Sequence, residues 1–462
     1  MTESSRPIDR HADLVVVGGG AGGLSAARAG ARRGARVLLV QQGPLGGDCT
    51  FTGCVPSKAL IEAARRRDPF DRAIAAARRA IEVVAATETD DVLQREGVEV
   101  AHGWATFREP GVLDVDGAVV RARRVVIATG AHPVVPPIEG LDETDHLTNE
   151  TVWDLDALPP SLAVLGGGAV GCELAQAFAR LGSTVTVIEA LDRILPAEDP
   201  EAAAVVTEAL TLDGVAVRTG QAVARVEPLA RKGAVRLHMA DGATVDADRL
   251  LVAVGRTGTI EGLGLDAAGV ETAGGFVTTD DTLATTARGV WAAGDATGRL
   301  QFTHAADEMG RVAAANALGR FRRRRFCTDA VPWVTFTDPE VARVGITEEE
   351  AADRGGQVAY LPMSEVDRAI AAGEILGFVK LVAGPRRLLR NAGGGRVLGA
   401  TIVASRAGEM IHEPALAMRT GMFAGRLAQT VHAYPTWSVA VRQAAAQLFM
   451  ETGGRHARAA RR

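Results

Sequence analysis

The chain of 462 residues is longer than one hydrophobic core can serve, so it divides into two or more domains. Its 47% hydrophobic and 23% charged residues are the balance of an ordinary folded protein and exclude a disordered chain. A net charge of -5 argues against a nucleic-acid or anionic-membrane partner, since those are held mainly by clustered Lys and Arg, and leaves small molecules as the expected partners.

Residues 1–11 are polar and of mixed charge, without the apolar centre of a signal peptide. No apolar run approaches the ~20 residues that span a bilayer, so a cytoplasmic protein with no membrane partner is expected. Residues 14–17 predict a strand, the glycines after them a turn, residues 24–33 a helix and residues 35–40 a second strand. The same series returns as an apolar run over residues 162–165, a turn over 166–171, a helix through Leu181 and a strand over 184–189. Two βαβ units of one design predict an α/β fold with two doubly wound, Rossmann-like nucleotide-binding domains. The stretch after Ala131, with His132-Pro133 and Pro136-Pro137, reads as a connector, and Pro159-Pro160 announces the second unit. After Asp295 a helical pattern covers residues 305–319, followed by a basic run over 322–325 that reads as solvated surface. From Val331 the texture changes to strand-like segments (378–382, 397–403) and then helices from Glu409, a third domain of α+β type. Residues 453–462 form a short basic tail that is expected to fray.

A Gly-x-Gly-x-x-Gly turn between a strand and a helix lets backbone N–H groups approach a pyrophosphate, which the helix N-terminus stabilises. Gly18, Gly20 and Gly23 form the first such turn, and Gly166, Gly168 and Gly171 the second. Either alone is weak evidence; the strand and helix that flank both copies give them weight. The second copy's strand ends in Glu189, whose carboxylate suits an adenine ribose and repels a 2′-phosphate, favouring NADH over NADPH. Arg193, four residues on, is a competing phosphate partner. The first copy ends in Gln41, an amide that bonds a ribose hydroxyl more weakly.

Four cysteines are too few for a disulfide scaffold, so the close pair Cys49 and Cys54 reads as catalytic or metal-binding. Gly53 permits the tight turn that would bring the sulfurs together. Only Cys172 and Cys327 remain to complete a zinc site, and neither is paired at short spacing, so no metal site is expected. Two inert core thiols are the plain alternative to a redox dithiol.

The segment Gly46-Gly47-Asp48-Cys49, the spacing to Cys54, and Val55-Pro56-Ser57-Lys58 resemble the pyridine nucleotide-disulfide oxidoreductases. The resemblance, to the group of mercuric reductase and dihydrolipoamide dehydrogenase, runs over nearly the whole chain. It implies FAD and either NADH or NADPH as cofactors, an FAD-binding domain in two parts (1–148 and 278–329), an NAD(P)-binding domain (149–277) and a dimerisation domain (330–452). A homodimer follows, each active site being completed by the partner's C-terminal segment. Gly47, Asp48, Thr129, Gly130 and Asp295 are implied to line the flavin, with Asp295 on its ribityl chain, and Gly255 and Arg256 to stand beside the nicotinamide. The family's next Pro-Asn is here Gly258-Thr259. NAD(P)H would reduce the flavin on one face and the flavin the disulfide on the other. Cys54 is implied as the flavin-contacting, charge-transfer thiolate, Cys49 as the interchange thiol, and Lys58 as a flavin neighbour paired with Glu173.

The family's completing segment reads His-Pro-Thr with a Glu a few residues later, the His exchanging protons with a leaving thiol. Here it reads His432-Ala433-Tyr434-Pro435-Thr436, with Val439 in place of the Glu. A tyrosine, with an ordinary pKa near ~10, does not share protons at neutral pH as imidazole does. His432 is a substitute base only if the segment is rebuilt, since two extended residues displace it by about 6 to 7 Å. The expected function is therefore an FAD-dependent NAD(P)H oxidoreductase relaying electrons through Cys49 and Cys54 to a small-molecule or metal-ion acceptor. Dihydrolipoamide dehydrogenase, mercuric-ion reductase, a quinone or other acceptor reductase, and a flavoprotein sensor without turnover are the rival readings.

Overall fold

Runs of β-branched and aliphatic residues with no polar alternation make strands buried on both faces, and such strands pair in parallel under flanking helices. Leu14–Val17, Val37–Gln41, Val98–His102, Val125–Ile127 and Val290–Ala292 form one such sheet in the computed structural model, which describes residues 10–319, 323–386, 388 and 391–461. The spatial order is Val290–Ala292, Val125–Ile127, Leu14–Val17, Val37–Gln41, Val98–His102, with all neighbours parallel. Because side chains alternate along a strand, Leu14, Val16 and Leu39 face the helices Ala21–Ala31 and Thr303–Leu318. Val15, Val17, Leu38 and Val40 face the opposite way, onto Phe107 and Leu113 of a smaller, mostly antiparallel sheet.

Ser161–Leu165, Thr184–Ile188, Ala216–Arg218 and Arg249–Val252 repeat the design as a second parallel sheet. The helices Ala169–Leu181 and Pro200–Leu212 cover one face, and a three-stranded meander over Val223–Pro228, Val235–Met239 and Thr244–Ala247 covers the other. This unit is inserted into the first, since the first sheet takes strands from both sides of it. The stretch after Ala131, expected as a connector, is ordered differently: Ala131–Pro133 pairs antiparallel with Arg256–Gly258 and clasps the two ends of the insert together.

The third unit is a six-stranded antiparallel sheet in the order Trp333–Thr335, Glu340–Gly345, Arg396–Ala404, Phe378–Gly384, Gln357–Pro362, Arg458–Ala459. Its last strand corrects the expectation of a frayed tail. Arg458 and Ala459 pair with Val358 and Gln357, and the Arg458 guanidinium grips Glu348, so charge and backbone bonding hold a segment that composition alone marks as loose. Arg462 and Arg322 lie outside the described residues.

A buried lysine joins the second and third units. Lys380, on a central strand of the last sheet, lies 2.9 Å from Asp199, 2.6 Å from Glu201 and 3.3 Å from Glu348. Side-chain exposures of 3% for Lys380 and 4% for Asp199 make this a desolvated pair, which persists only because each charge has the other.

Candidate active site

The sequence around the cysteines folds as two short helices, Gly47–Phe51 and Cys54–Arg65, broken at Gly53. A Cβ at Gly53 would come within 2.9 Å of the Asp48 carbonyl oxygen, so the chain turns there only with glycine. That turn brings the two thiols into hydrogen-bond contact; both are free, Cys49 half-buried and Cys54 exposed. Cys54 is the first residue of its helix, where the unpaired N–H groups favour an anion. Its pKa is lowered to about 5, chiefly by the hydrogen bond from Cys49, helped by the Thr303 hydroxyl and the Lys58 ammonium and opposed by burial. The Cys49 thiol is pushed up by the same contact and stays protonated. Thr303 Oγ1 lies 3.4 Å from Cys54 Sγ.

Lys58, one helical turn beyond Cys54, points at the inserted unit. Its Nζ lies 2.9 Å from Glu173 Oε2 and 4.4 Å from the centre of the Phe336 ring. The other Glu173 oxygen accepts from the Phe336 N–H at 2.8 Å, so one buried carboxylate fixes lysine and ring together. Three units of the fold thus meet at Lys58, as its pairing with Glu173 requires.

Both glycine turns have the close packing their spacing predicts. A Cβ on Gly23 would overlap the Gly18 carbonyl oxygen, and one on Gly171 would overlap that of Gly166. Gly20 and Gly168, by contrast, have open space or ordinary contacts on their Cβ side, as N-caps of helices that present free N–H groups. The residue ending each second strand folds back onto its turn: Gln41 Oε1 accepts from Gly19 N at 2.6 Å, and Glu189 Oε2 from Gly167 N at 2.7 Å. Arg193 turns elsewhere, donating to the Pro196 carbonyl oxygen at 3.1 Å.

Between turn and thiols lies a polar recess. Asp295, in the short helical turn Gly294–Thr297, has its pKa raised to about 6, chiefly by burial. Arg256 reaches from the clasp to donate to Asp48 and to the Ala131 carbonyl, and Gly255 before it takes φ 137°, a conformation suited to glycine. The Thr129 hydroxyl, beside Gly130, is buried with no hydrogen-bond partner. A buried hydroxyl without a partner is costly, and together with the open glycine turn and Gly47 packed on Gly20 it fits a bound dinucleotide such as FAD.

The C-terminal segment is arranged differently from a proton-exchanging site. Both ring nitrogens of His432 are engaged, Nε2 with Glu413 at 2.9 Å and Nδ1 with the Thr430 carbonyl at 2.9 Å. The exposed Tyr434 donates its hydroxyl to Asp367 at 2.9 Å, and that carboxylate raises the phenol's pKa above its ordinary value. Val439 opens the helix Val439–Ala446 as a buried residue. Thr303 is the residue that sequence reading missed; it opens the helix Thr303–Leu318, which starts two residues before the helical pattern predicted after Asp295.

Residues 12–310 match the family described as pyridine nucleotide-disulphide oxidoreductase, and residues 331–445 match its dimerisation domain. The mercuric reductase of Streptomyces lividans is 37% identical over 460 residues, covering 94% of this chain and 95% of that protein. The dihydrolipoyl dehydrogenase of Thermus scotoductus is 36% identical over 464 residues, covering 94% and 97%. Among solved structures, the Cu(II) complex of the HOCl-induced flavoprotein disulfide reductase RclA from Escherichia coli superposes with a TM-score of 0.86 at 30% identity, covering 95% of this chain and 99% of that one. LpdA from Mycobacterium tuberculosis gives 0.84 at 31%, covering 96% and 100%. No helix among the described residues is long and apolar enough to cross a membrane. With both nucleotide-binding units, the dithiol and a domain that marks a homodimer, the chain belongs to the class I pyridine nucleotide-disulfide oxidoreductases, FAD-dependent enzymes that draw electrons from NAD(P)H.

Proposed function

We propose that this enzyme passes electrons from NADH, by way of FAD and the Cys49–Cys54 pair, to a thiophilic metal ion. The observation that carries this reading is the C-terminal segment: with His432 held at both nitrogens and Tyr434 bonded to Asp367, it offers no free base to protonate a leaving thiol. A two-electron acceptor such as Hg(II) bound between two thiolates needs none: as the two metal–sulfur bonds break, the sulfurs give an electron pair to the metal and join as the disulfide, with no proton moved. Relatives named mercuric reductase and a structural neighbour described as a Cu(II) complex support the same class of acceptor.

FAD, once bound, supplies the two-electron relay between nicotinamide and sulfur. Gly18, Gly20 and Gly23 would hold its pyrophosphate, Gln41 a ribose hydroxyl and Asp295 the ribityl chain, with Gly47, Asp48, Thr129 and Gly130 beside them. Cys54, kept anionic by the hydrogen bonds from Cys49 and Thr303 and by Lys58, would be the thiolate that faces the flavin, and Cys49 would meet the acceptor. Glu173 positions Lys58. Gly166, Gly168 and Gly171 take the second nucleotide, Glu189 its adenine ribose, and Gly255 and Arg256 the nicotinamide side. With Arg193 turned to Pro196, NADH is the preferred donor.

The test is steady-state NADH oxidation by the FAD-loaded dimer with Hg(II) in excess thiol, or with Cu(II) in the absence of added thiol, beside NAD reduction by dihydrolipoamide. Metal-dependent turnover that is lost in Cys49→Ser and Cys54→Ser is expected. Efficient dihydrolipoamide turnover without metal-dependent oxidation would overturn the reading, and acceptor reduction that survives Cys49→Ser would point to a quinone-type acceptor served directly by the flavin.

A further inference from the structure

The basic run of residues 322–325 is more than solvated surface in its described part. Arg323 lies over the Trp291 ring, 5.6 Å from its centre, and Arg325 pairs with Asp281. Arg324 does neither. It lines a surface cleft of about 320 Å3 with four further arginines, Arg28, Arg32, Arg33 and Arg311, and with Ser25 and Asp307. Apart from Arg33 and Arg324, these side chains come from two helices packed at glycine and from the C-cap of the first. Ser25, Arg28 and Arg32 recur on one face of Ala21–Ala31 and its C-cap, and Asp307 and Arg311 lie one turn apart on Thr303–Leu318.

The charges do not balance within the cleft. Asp307 is taken by Ser25 and, at 2.7 Å, by Arg311, which also meets Glu308 at 2.8 Å. Glu96, from outside the cleft, holds Arg28 at 2.6 Å. Arg33 donates to the Ala29 carbonyl at 2.8 Å, the ordinary service of a basic residue at a helix end. No partner among the described residues engages the guanidinium of Arg32 or of Arg324, and Arg324 belongs to no helix whose carbonyls it could serve. Five guanidinium groups against the three carboxylates that meet them, Asp307, Glu308 and Glu96, leave an excess of positive charge in the cleft that an anion would offset.

The lining also says which anion. Guanidinium forks match phosphate oxygens in bidentate pairs. The one apolar lining residue is Ala29, so the walls offer no face to a nucleobase or other ring. We propose that the cleft binds a compact polyanion of the inorganic oligophosphate class, at least two phosphate groups long. The site is distinct from both glycine turns: it sits toward the far end of the helix that opens at Gly20, and across the helix that opens at Thr303, so its occupant joins the two elements behind the dinucleotide recess and the Cys54 contact.

The experiment is calorimetric titration of the FAD-loaded dimer, saturated with NAD to fill the nucleotide sites, with sodium tripolyphosphate at ionic strength fixed by sodium chloride. Saturable binding is expected, with sulfate and orthophosphate weaker. Arg32→Ser combined with Arg324→Ser is expected to weaken it about a hundredfold, since each lost charge-assisted contact is worth roughly tenfold or more. Arg324→Gln alone, outside any helix or strand, is expected to show about a tenfold loss and serves if the double variant melts early. Absence of saturable heat, an equal response to sulfate, or an affinity unchanged in Arg324→Gln would overturn the proposal.

Discussion

Cys49 and Cys54 are the same amino acid in the same loop, yet the fold separates their chemistry. Cys54 begins a helix and receives hydrogen bonds from Cys49 and Thr303 with Lys58 nearby, whereas Cys49 donates and stays protonated. The sign of the pH effect follows. Because the Cys54 pKa is lowered to about 5, its thiolate persists through neutral pH and is lost only as pH falls through that value. Alkylation of the reduced enzyme, followed by mass spectrometry, should modify Cys54 first and should slow below about pH 5. Thr303→Val removes one hydroxyl donor, so the midpoint should move upward by about one pH unit; an unmoved profile would remove Thr303 from the site. The cysteines and both glycine turns were legible because each stands in a spaced motif, whereas Lys58 and Glu173 were marked only by the family resemblance. Thr303 was not legible, since a single threonine ahead of a helix reads as a cap, and its hydroxyl instead faces a sulfur far away in sequence.

At the scale of elements, the helices Ala21–Ala31 and Thr303–Leu318 approach so closely that a Cβ on Gly310 would overlap the Gly22 carbonyl oxygen and come within 3.0 Å of Ala26 N. Gly310→Ala forces the helices apart and should cost about 1 to 3 kcal/mol, seen as a lower melting temperature and a weaker hold on FAD, because the first helix carries the glycine turn. A melting temperature raised by the alanine would show that helix propensity outweighs the overlap. Sequence reading found both helices from their periodicity but not their contact: a mid-helix glycine reads as a weakness until its partner is known. The strands at Ala131–Pro133 and Arg458–Ala459 were missed for a related reason, since proline-rich and basic stretches have the composition of loops and are recruited as strands by partners distant in sequence.

Across the whole molecule, Lys380 ties the dimerisation domain to the inserted unit through Asp199 and Glu201, with Glu348 of its own domain beside it. Lys380→Met leaves Asp199 buried without its counter-charge, which should cost about 3 to 5 kcal/mol in denaturant unfolding. Replacing Lys380 and Asp199 together with apolar residues should recover much of that loss; if the double variant is as unstable as the single one, the pair is not the origin of the effect. The order of domains was readable because each of the three units has its own pattern, two with glycine turns and one with strand-like runs followed by helices. The electrostatic seams between units were not, because nothing local marks Lys380 as buried.

The antiparallel pairing of Ala131–Pro133 with Arg256–Gly258 has one more consequence. The inserted unit enters and leaves through two adjacent strands, so residues 134–255 are a cassette with its ends side by side. Such a span can be exchanged for that of a relative without rerouting the host chain, and donor preference should travel with the graft while both cysteines stay behind. Glu173 lies inside the cassette and Lys58 outside it, so a successful graft must bring its own carboxylate to Lys58.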